Sequence, residues 1–157
     1  MNAPRPGPAF AALAAALLAC SGMPKVQPAH GPPVQVEDLT GSAWKAEEIG
    51  GDPVPGEHPP MLYFESARAV SGFAGCNQFS GPVSGRSDDV RFGPLAATRR
   101  ACEPPQMELE QRFLGALSQG PLRLQGGGGF LYLVDADESL VLRFLRHRLP
   151  DDDTGPS

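Results

Sequence analysis

Leu122-Arg123-Leu124-Gln125-Gly126-Gly127-Gly128-Gly129-Phe130-Leu131-Tyr132-Leu133-Val134-Asp135-Ala136-Asp137-Glu138-Ser139-Leu140-Val141-Leu142-Arg143-Phe144 is the stretch that decides the fold. Leu122 and Leu124 alternate with Arg123 and Gln125, and Leu140, Leu142 and Phe144 alternate with Ser139, Val141 and Arg143. An apolar period of two puts alternate side chains on one face of a strand. Between them Phe130 to Val134 is a continuous apolar run of strand length. The connectors, Gly126 to Gly129 and Asp135 to Glu138, have the length and residue types of hairpin turns. Three strands joined by two tight turns form an antiparallel meander.

Outward from the meander the same period continues upstream. Met61-Leu62-Tyr63-Phe64 follows a Pro pair, and Val70-Ser71-Gly72-Phe73 and Phe79-Ser80-Gly81-Pro82-Val83 flank a Gly-Cys-Asn turn. One segment departs from it. After Glu103-Pro104-Pro105, the stretch Gln106 to Gln119 places Met107, Leu114 and Leu117 on one stripe, widened by Phe113. Pro at the entry, Glu108 and Glu110 in the first turns, and Gly120 beyond the end are helix start and stop signals. The expected domain, residues 39–148, is mainly β with some α: a curled antiparallel sheet with one helix before the last three strands. That helix would cap an open sheet or plug the mouth of a curled one. With 19 Gly and 18 Pro among 157 residues, many turns between short elements are expected, and one domain with appendages fits the length.

The amino terminus addresses the chain. Ala9 to Ala19 is an apolar run of 11 residues behind Arg5. A membrane-spanning helix needs roughly 20 such residues, whereas half that suits the hydrophobic region of a signal peptide. Leu17-Leu18-Ala19-Cys20 resembles the lipobox of bacterial lipoproteins, although Leu18 stands where a small or hydroxyl residue is usual. The resemblance implies cleavage after residue 19, acylation of Cys20 and firm anchoring by two or three chains. The alternative is an ordinary cleaved signal followed by an unmodified cysteine. Ser21, in place of Asp, is compatible with sorting to the outer membrane. Residues 20–38 are Pro-rich and aperiodic, the composition of an extended tether. Residues 149–157 carry Asp151-Asp152-Asp153 and hold almost no apolar residues, the mark of a solvated acidic tail. The formal charge of −5, with scattered arginines, argues against nucleic-acid binding.

With Cys20 acylated, Cys76 and Cys102 remain, and an even remainder outside the cytoplasm points to a disulfide. They lack the spacing of a Cys-x-x-Cys redox motif, and His30, His58 and His147 are too isolated for a zinc site. Gly126 to Gly129 precedes a strand rather than a helix, so a phosphate loop is disfavoured. Asp135, Asp137 and Glu138 lack the spacing of a calcium loop. Arg99 and Arg100 form either an anion-binding spot or an ordinary solvated pair. The chain calls for no metal and no cofactor.

Val70-Ser71-Gly72-Phe73-Ala74-Gly75-Cys76-Asn77-Gln78-Phe79-Ser80-Gly81 and Leu95-Ala96-Ala97-Thr98-Arg99-Arg100-Ala101-Cys102 resemble the two signature stretches of the META domain (HslJ-like) lipoprotein family. The opening Leu39 to Trp44, the run Leu62-Tyr63-Phe64 and the helix with Phe113 and Leu117 follow in the family's order. The resemblance implies an antiparallel sheet curled like a cracked barrel, and associations with stress response, antibiotic tolerance and motility or secretion. It also implies a shape like that of lipid-binding pilotins. Read physically, Gly72, Gly75 and Gly81 permit bulges or positive φ, Asn77 satisfies a local turn and Thr98 suits a strand edge. The leading expectation is a non-catalytic envelope lipoprotein that binds an envelope protein or an acyl chain inside the curled sheet. The alternative is a structural or chaperone-like domain that protects envelope proteins under stress. A small hydrolase or thiol oxidoreductase is disfavoured, because no base lies near Cys76 in the sequence and Cys102 is available to oxidise it.

Overall fold

The runs of period two become strands in the computed structural model, which describes residues 30–149. The signal segment, Cys20 and residues 150–157 lie outside the described residues. Ten strands, β1 (Ala43–Ile49), β2 (Asp52–Pro53), β3 (Met61–Ser66), β4 (Ala69–Phe73), β5 (Gln78–Ser84), β6 (Arg91–Phe92), β7 (Ala96–Ala97), β8 (Arg123–Gly127), β9 (Phe130–Val134) and β10 (Leu140–His147), form one antiparallel sheet. Its order is β6-β5-β4-β3-β1-β10-β9-β8, with β2 on β1 and β7 on β5. The carboxyl-terminal meander is present as expected, with β8 joined to β9 through Gly128 and Gly129, both at positive φ. β1 is the strand the apolar pattern hides. Lys45, Glu47 and Glu48 interrupt its period, yet it pairs with β3 on one side and β10 on the other. The chain's first long strand is thereby locked to its last.

The sheet curls until its two ends meet without closing into a barrel. Val90, just before β6, exchanges two backbone hydrogen bonds of 2.8 Å with Leu122, just before β8, and the Leu124 N–H donates to the Ser87 carbonyl at 2.7 Å. One isolated bridge is short of a ladder, and this seam is the crack in the curl. The Pro-rich segment contributes to it. The Val34 N–H donates to the Leu124 carbonyl and the Gly126 N–H to the Pro32 carbonyl, so residues 32–34 cover the outer edge of β8. Val36 is buried in the core and His30 stacks on Tyr132 with ring centroids 4.9 Å apart. The end of the segment read as tether is therefore part of the fold. Proline suits this place because an edge residue can do without its N–H.

The helix α1 (Pro104–Leu117) lies in the concavity. It starts with Pro at its first two positions and with a reciprocal capping box between Glu103 and Gln106. Its buried stripe is Leu109, Phe113, Ala116 and Leu117. The expected stripe differs: Met107 is 42% exposed and Leu114 only partly buried. Leu109 lies two positions after Met107, about 200° round the helix, so only one of them can face the core. Leu109 is chosen because it packs on the backbone of the Gly75 turn. Phe113 reaches furthest, meeting Phe79 of β5 and Phe144 of β10 edge-on at 5.7 and 6.1 Å. With Phe64, Leu62, Leu117, Leu133 and Leu142 it fills the middle of the curl. The helix is a plug, and the interior is packed.

β10 shows why alternation gave only part of the burial. A bulge between Leu140 and Leu142 inserts Val141 as an extra residue, so Val141 and Leu142 are both buried. The turn Asp135 to Glu138 is held by its own acid: Asp135 Oδ1 accepts from the Asp137 and Ser139 N–H groups, each at 2.9 Å.

Candidate functional site

The most densely bonded polar cluster sits on the turn between β4 and β5. Gly72 is there for close approach. A Cβ at that position would lie 1.9 Å from the Met61 carbonyl oxygen and 2.9 Å from the Phe79 ring. Gly75 has φ +109°, a region that L side chains rarely adopt, and it seats Leu109 of the helix. Gly81 lies against the Pro94 carbonyl, again with no room for a side chain. Of the three, Gly75 alone has positive φ, and the other two serve contact rather than bending.

These glycines bring Cys76 and Asn77 under the second signature stretch. Cys76 and Cys102 are disulfide-bonded with Cα atoms 6.0 Å apart. Closing the 26-residue loop stabilises the fold by about 3.5 kcal/mol in the chain-entropy model. Asn77, 4% exposed, uses its whole amide. Its Oδ1 accepts from the Arg100 N–H at 2.7 Å and the Thr98 hydroxyl at 3.0 Å. Its Nδ2 donates to the Arg100 carbonyl at 3.2 Å and to Glu110 Oε1 at 3.3 Å. The Asn77 N–H donates to Glu110 Oε2 at 2.6 Å, a charge-assisted bond that ties the turn to the helix. Thr98 accepts from the Gln78 N–H and so extends the β5–β7 pairing by one residue. Asn77 thus joins three segments distant in sequence, well beyond the local turn expected of it.

Trp44 is buried on β1, donating from Nε1 to Ser42 Oγ at 2.7 Å while the Arg146 guanidinium lies over its ring. It anchors the sheet about β1, away from the knot. Arg100 was one of the two arginines weighed for anion binding; its Nη2 donates to the Cys76 carbonyl at 3.4 Å. Glu110, read in the sequence only as a helix-start acid, accepts from both the backbone N–H and the Nδ2 of Asn77, and no pattern in the chain marks it. The knot's cysteines are joined in a disulfide and both ends of its amide are bonded, so the arrangement ties the turn, the second signature stretch and the helix together.

A pocket of about 260 Å³ opens on the knot itself, beside Phe73, Cys76, Gln78, Thr98 and Arg100, and larger clefts lie further away. A cleft of about 490 Å³ runs between α1 and β1 and β10, past Arg112, Ala116 and Val141, where Arg112 donates to the Ile49 carbonyl and Asp52. A second, of about 520 Å³, opens on the seam beside Pro33, Arg86, Ser87, Arg123 and Gln125. Gln125 was expected to face outward with Arg123. It is nonetheless only 5% exposed, and the Pro32–Val34 segment runs along its strand edge.

A curled, uncapped antiparallel sheet with a helical plug and a disulfide-stapled Gly-Cys-Asn turn defines a small β-rich domain built around a structural signature. The chain belongs to the META domain family, whose model matches residues 37–148. It is similar to a protein from Burkholderia xenovorans solved by NMR, with 27% identity, a TM-score of 0.62, and coverage of 79% of this chain and 94% of that one. A second NMR structure of a protein is 27% identical with a TM-score of 0.57, covering 71% of this chain and 94% of the other. No curated protein matches the chain significantly.

Proposed function

We propose that this protein is a non-catalytic lipoprotein of the cell envelope, anchored through acylated Cys20 and facing the periplasm from the outer membrane, that works by holding an envelope protein on the surface of its META domain. The observation that carries this reading is the packed interior: Phe113 and its neighbours occupy the space that an acyl chain would need. On this reading a ligand is held on the outside, where surface clefts lie. The signature residues support the same reading, since Asn77, Thr98 and the disulfide are engaged in bonds within the fold.

Growth with an alkyne-labelled palmitate followed by fractionation tests the anchor. The wild-type chain is expected to carry label in the outer-membrane fraction and Cys20→Ala to lose it; an unlabelled wild type overturns the anchor. Native mass spectrometry of the protein released from its own acyl chains tests the surface reading. No added fatty acid is expected to remain bound, and a stoichiometric fatty-acid complex contradicts it.

A further inference from the structure

The chain enters the fold at one defined place. His30 stacks on Tyr132 of β9, and residues 32–34 run along the edge of β8. His30 stands ten positions after Cys20, and whatever its conformation that stretch spans at most about 35 Å. A domain of this length is itself about 35 Å across, so an acylated Cys20 keeps the His30 side of the domain near the bilayer.

That side is the convex face of the sheet. Leu131, Leu133, Leu142 and Phe144 point into the curl and are fully buried. Alternation therefore puts Phe130, Tyr132, Arg143 and Leu145 on the other face, and each is half-buried. Register lines up a row across it, from Met61 of β3 through Lys45 of β1 and Leu145 of β10 to Phe130 of β9. The helix fills the opposite, concave side.

The charge around this row is positive where it is free. Glu47 pairs with Lys45, and Glu48 with Arg143, whose guanidinium also lies over the Phe130 ring. At the end of β10, Arg146 and Arg148 are exposed, and among the described residues neither is in an ion pair. Asp151 to Asp153 follow in the sequence and offset part of that charge. Half-exposed rings and aliphatic side chains rimmed by arginines suit a bilayer interface. The rings settle at headgroup depth, and guanidinium groups reach phosphates while their stems stay apolar. A tether this short also keeps lipid at an effective concentration of about a millimolar, so even a weak contact is occupied.

We propose that the convex face of β1, β9 and β10 docks on the bilayer surface, with Phe130, Tyr132 and Leu145 at headgroup depth and Arg146 and Arg148 on lipid phosphates. The proposal rests on the acylation of Cys20 read above. It turns α1 and the cleft beside it away from the membrane, open to an envelope protein.

The test places the full lipidated chain in nanodiscs of phosphatidylethanolamine and phosphatidylglycerol doped with a gadolinium-chelating lipid, and reads the loss of amide NMR intensity. Amides of residues 130–132 and 143–148 are expected to lose intensity while those of residues 111–119 keep it. Phe130→Glu combined with Arg148→Glu keeps the tether and the core but not the face. That double variant is expected to spread the loss evenly over the domain, with the unfolding midpoint unchanged. Arg148→Gln alone, an exposed change, is expected to lower the ratio of docked to undocked domain about fivefold, the worth of one cation at an anionic surface. Loss centred on α1, even loss in the wild type, a pattern that survives the double variant, or a ratio unmoved by Arg148→Gln overturns the proposal and leaves the anchor standing. A wild type that carries no acyl chain overturns the anchor and the docking with it.

Discussion

At the β4–β5 turn, one asparagine, one threonine, one glutamate and a disulfide tie together segments up to 33 residues apart, and each polar end of the asparagine amide has at least two partners. At the seam, the two ends of the sheet meet through a single bridge and one further backbone bond, and a buried amide oxygen beside them has none. The two regions are parts of one small sheet, and the contrast separates two demands. The knot ties the β4–β5 turn to the second signature stretch and to α1, and so braces the curl. The seam is where the curl ends, and an end that is stitched rather than laddered can leave a cleft. The residues that look most like chemistry in the sequence are the ones bonded into the scaffold, and the seam lies past β6, which pairs with the signature-bearing β5.

The comparison can be broken at graded cost. The helical plug serves both regions, so Phe113→Ala is expected to be the most damaging single change, lowering stability by about 3–5 kcal/mol in denaturant unfolding. Replacing both Cys76 and Cys102 by Ala is expected to cost about 3.5 kcal/mol, read as a lower denaturation midpoint that no longer responds to reductant. Asn77→Ala leaves the Arg100 N–H without its side-chain acceptor and removes the Nδ2 donor to Glu110, while the backbone N–H donor to Glu110 stays; a loss of about 2–3 kcal/mol is expected, with the disulfide still formed by thiol titration. At the seam the scale drops. Arg86→Gln touches an exposed side chain and is expected to change stability by less than about 0.5 kcal/mol. A larger loss would mean that the loop braces the curl, and the contrast between the regions would weaken.

The three carboxyl-terminal strands could be read directly, because their apolar period is clean and their turns are made of residues that turn for known reasons. The helix could be placed but not oriented: its stripe was settled by the Gly75 turn, which offers a seat for Leu109 and none for Met107. β1 was hidden because a strand central to the sheet here carries Lys45, Glu47 and Glu48; Lys45 pairs with Glu47 and Glu48 with Arg143 of β10. The bulge at Val141 was hidden too, since an apolar residue at an outward position reads the same whether or not the register shifts. In the knot, the cysteines, glycines and Asn77 stood out as a motif. Glu110 did not, because a glutamate on a helix has no local mark of the turn it will meet 33 residues upstream. The seam was least legible of all. It is made by the two ends of the sheet, which become neighbours only when the whole sheet has curled.

Native-state hydrogen exchange compares the two regions in one experiment. The Asn77 and Arg100 amides, held by side chains in the knot, are expected to exchange only through global unfolding, while those of Val90, Leu122 and Leu124 exchange through a lower-energy local opening of the seam. Seam amides as protected as those of the knot, or an Arg100 amide that exchanges as freely as a surface loop, would contradict a stapled scaffold with its opening at the seam.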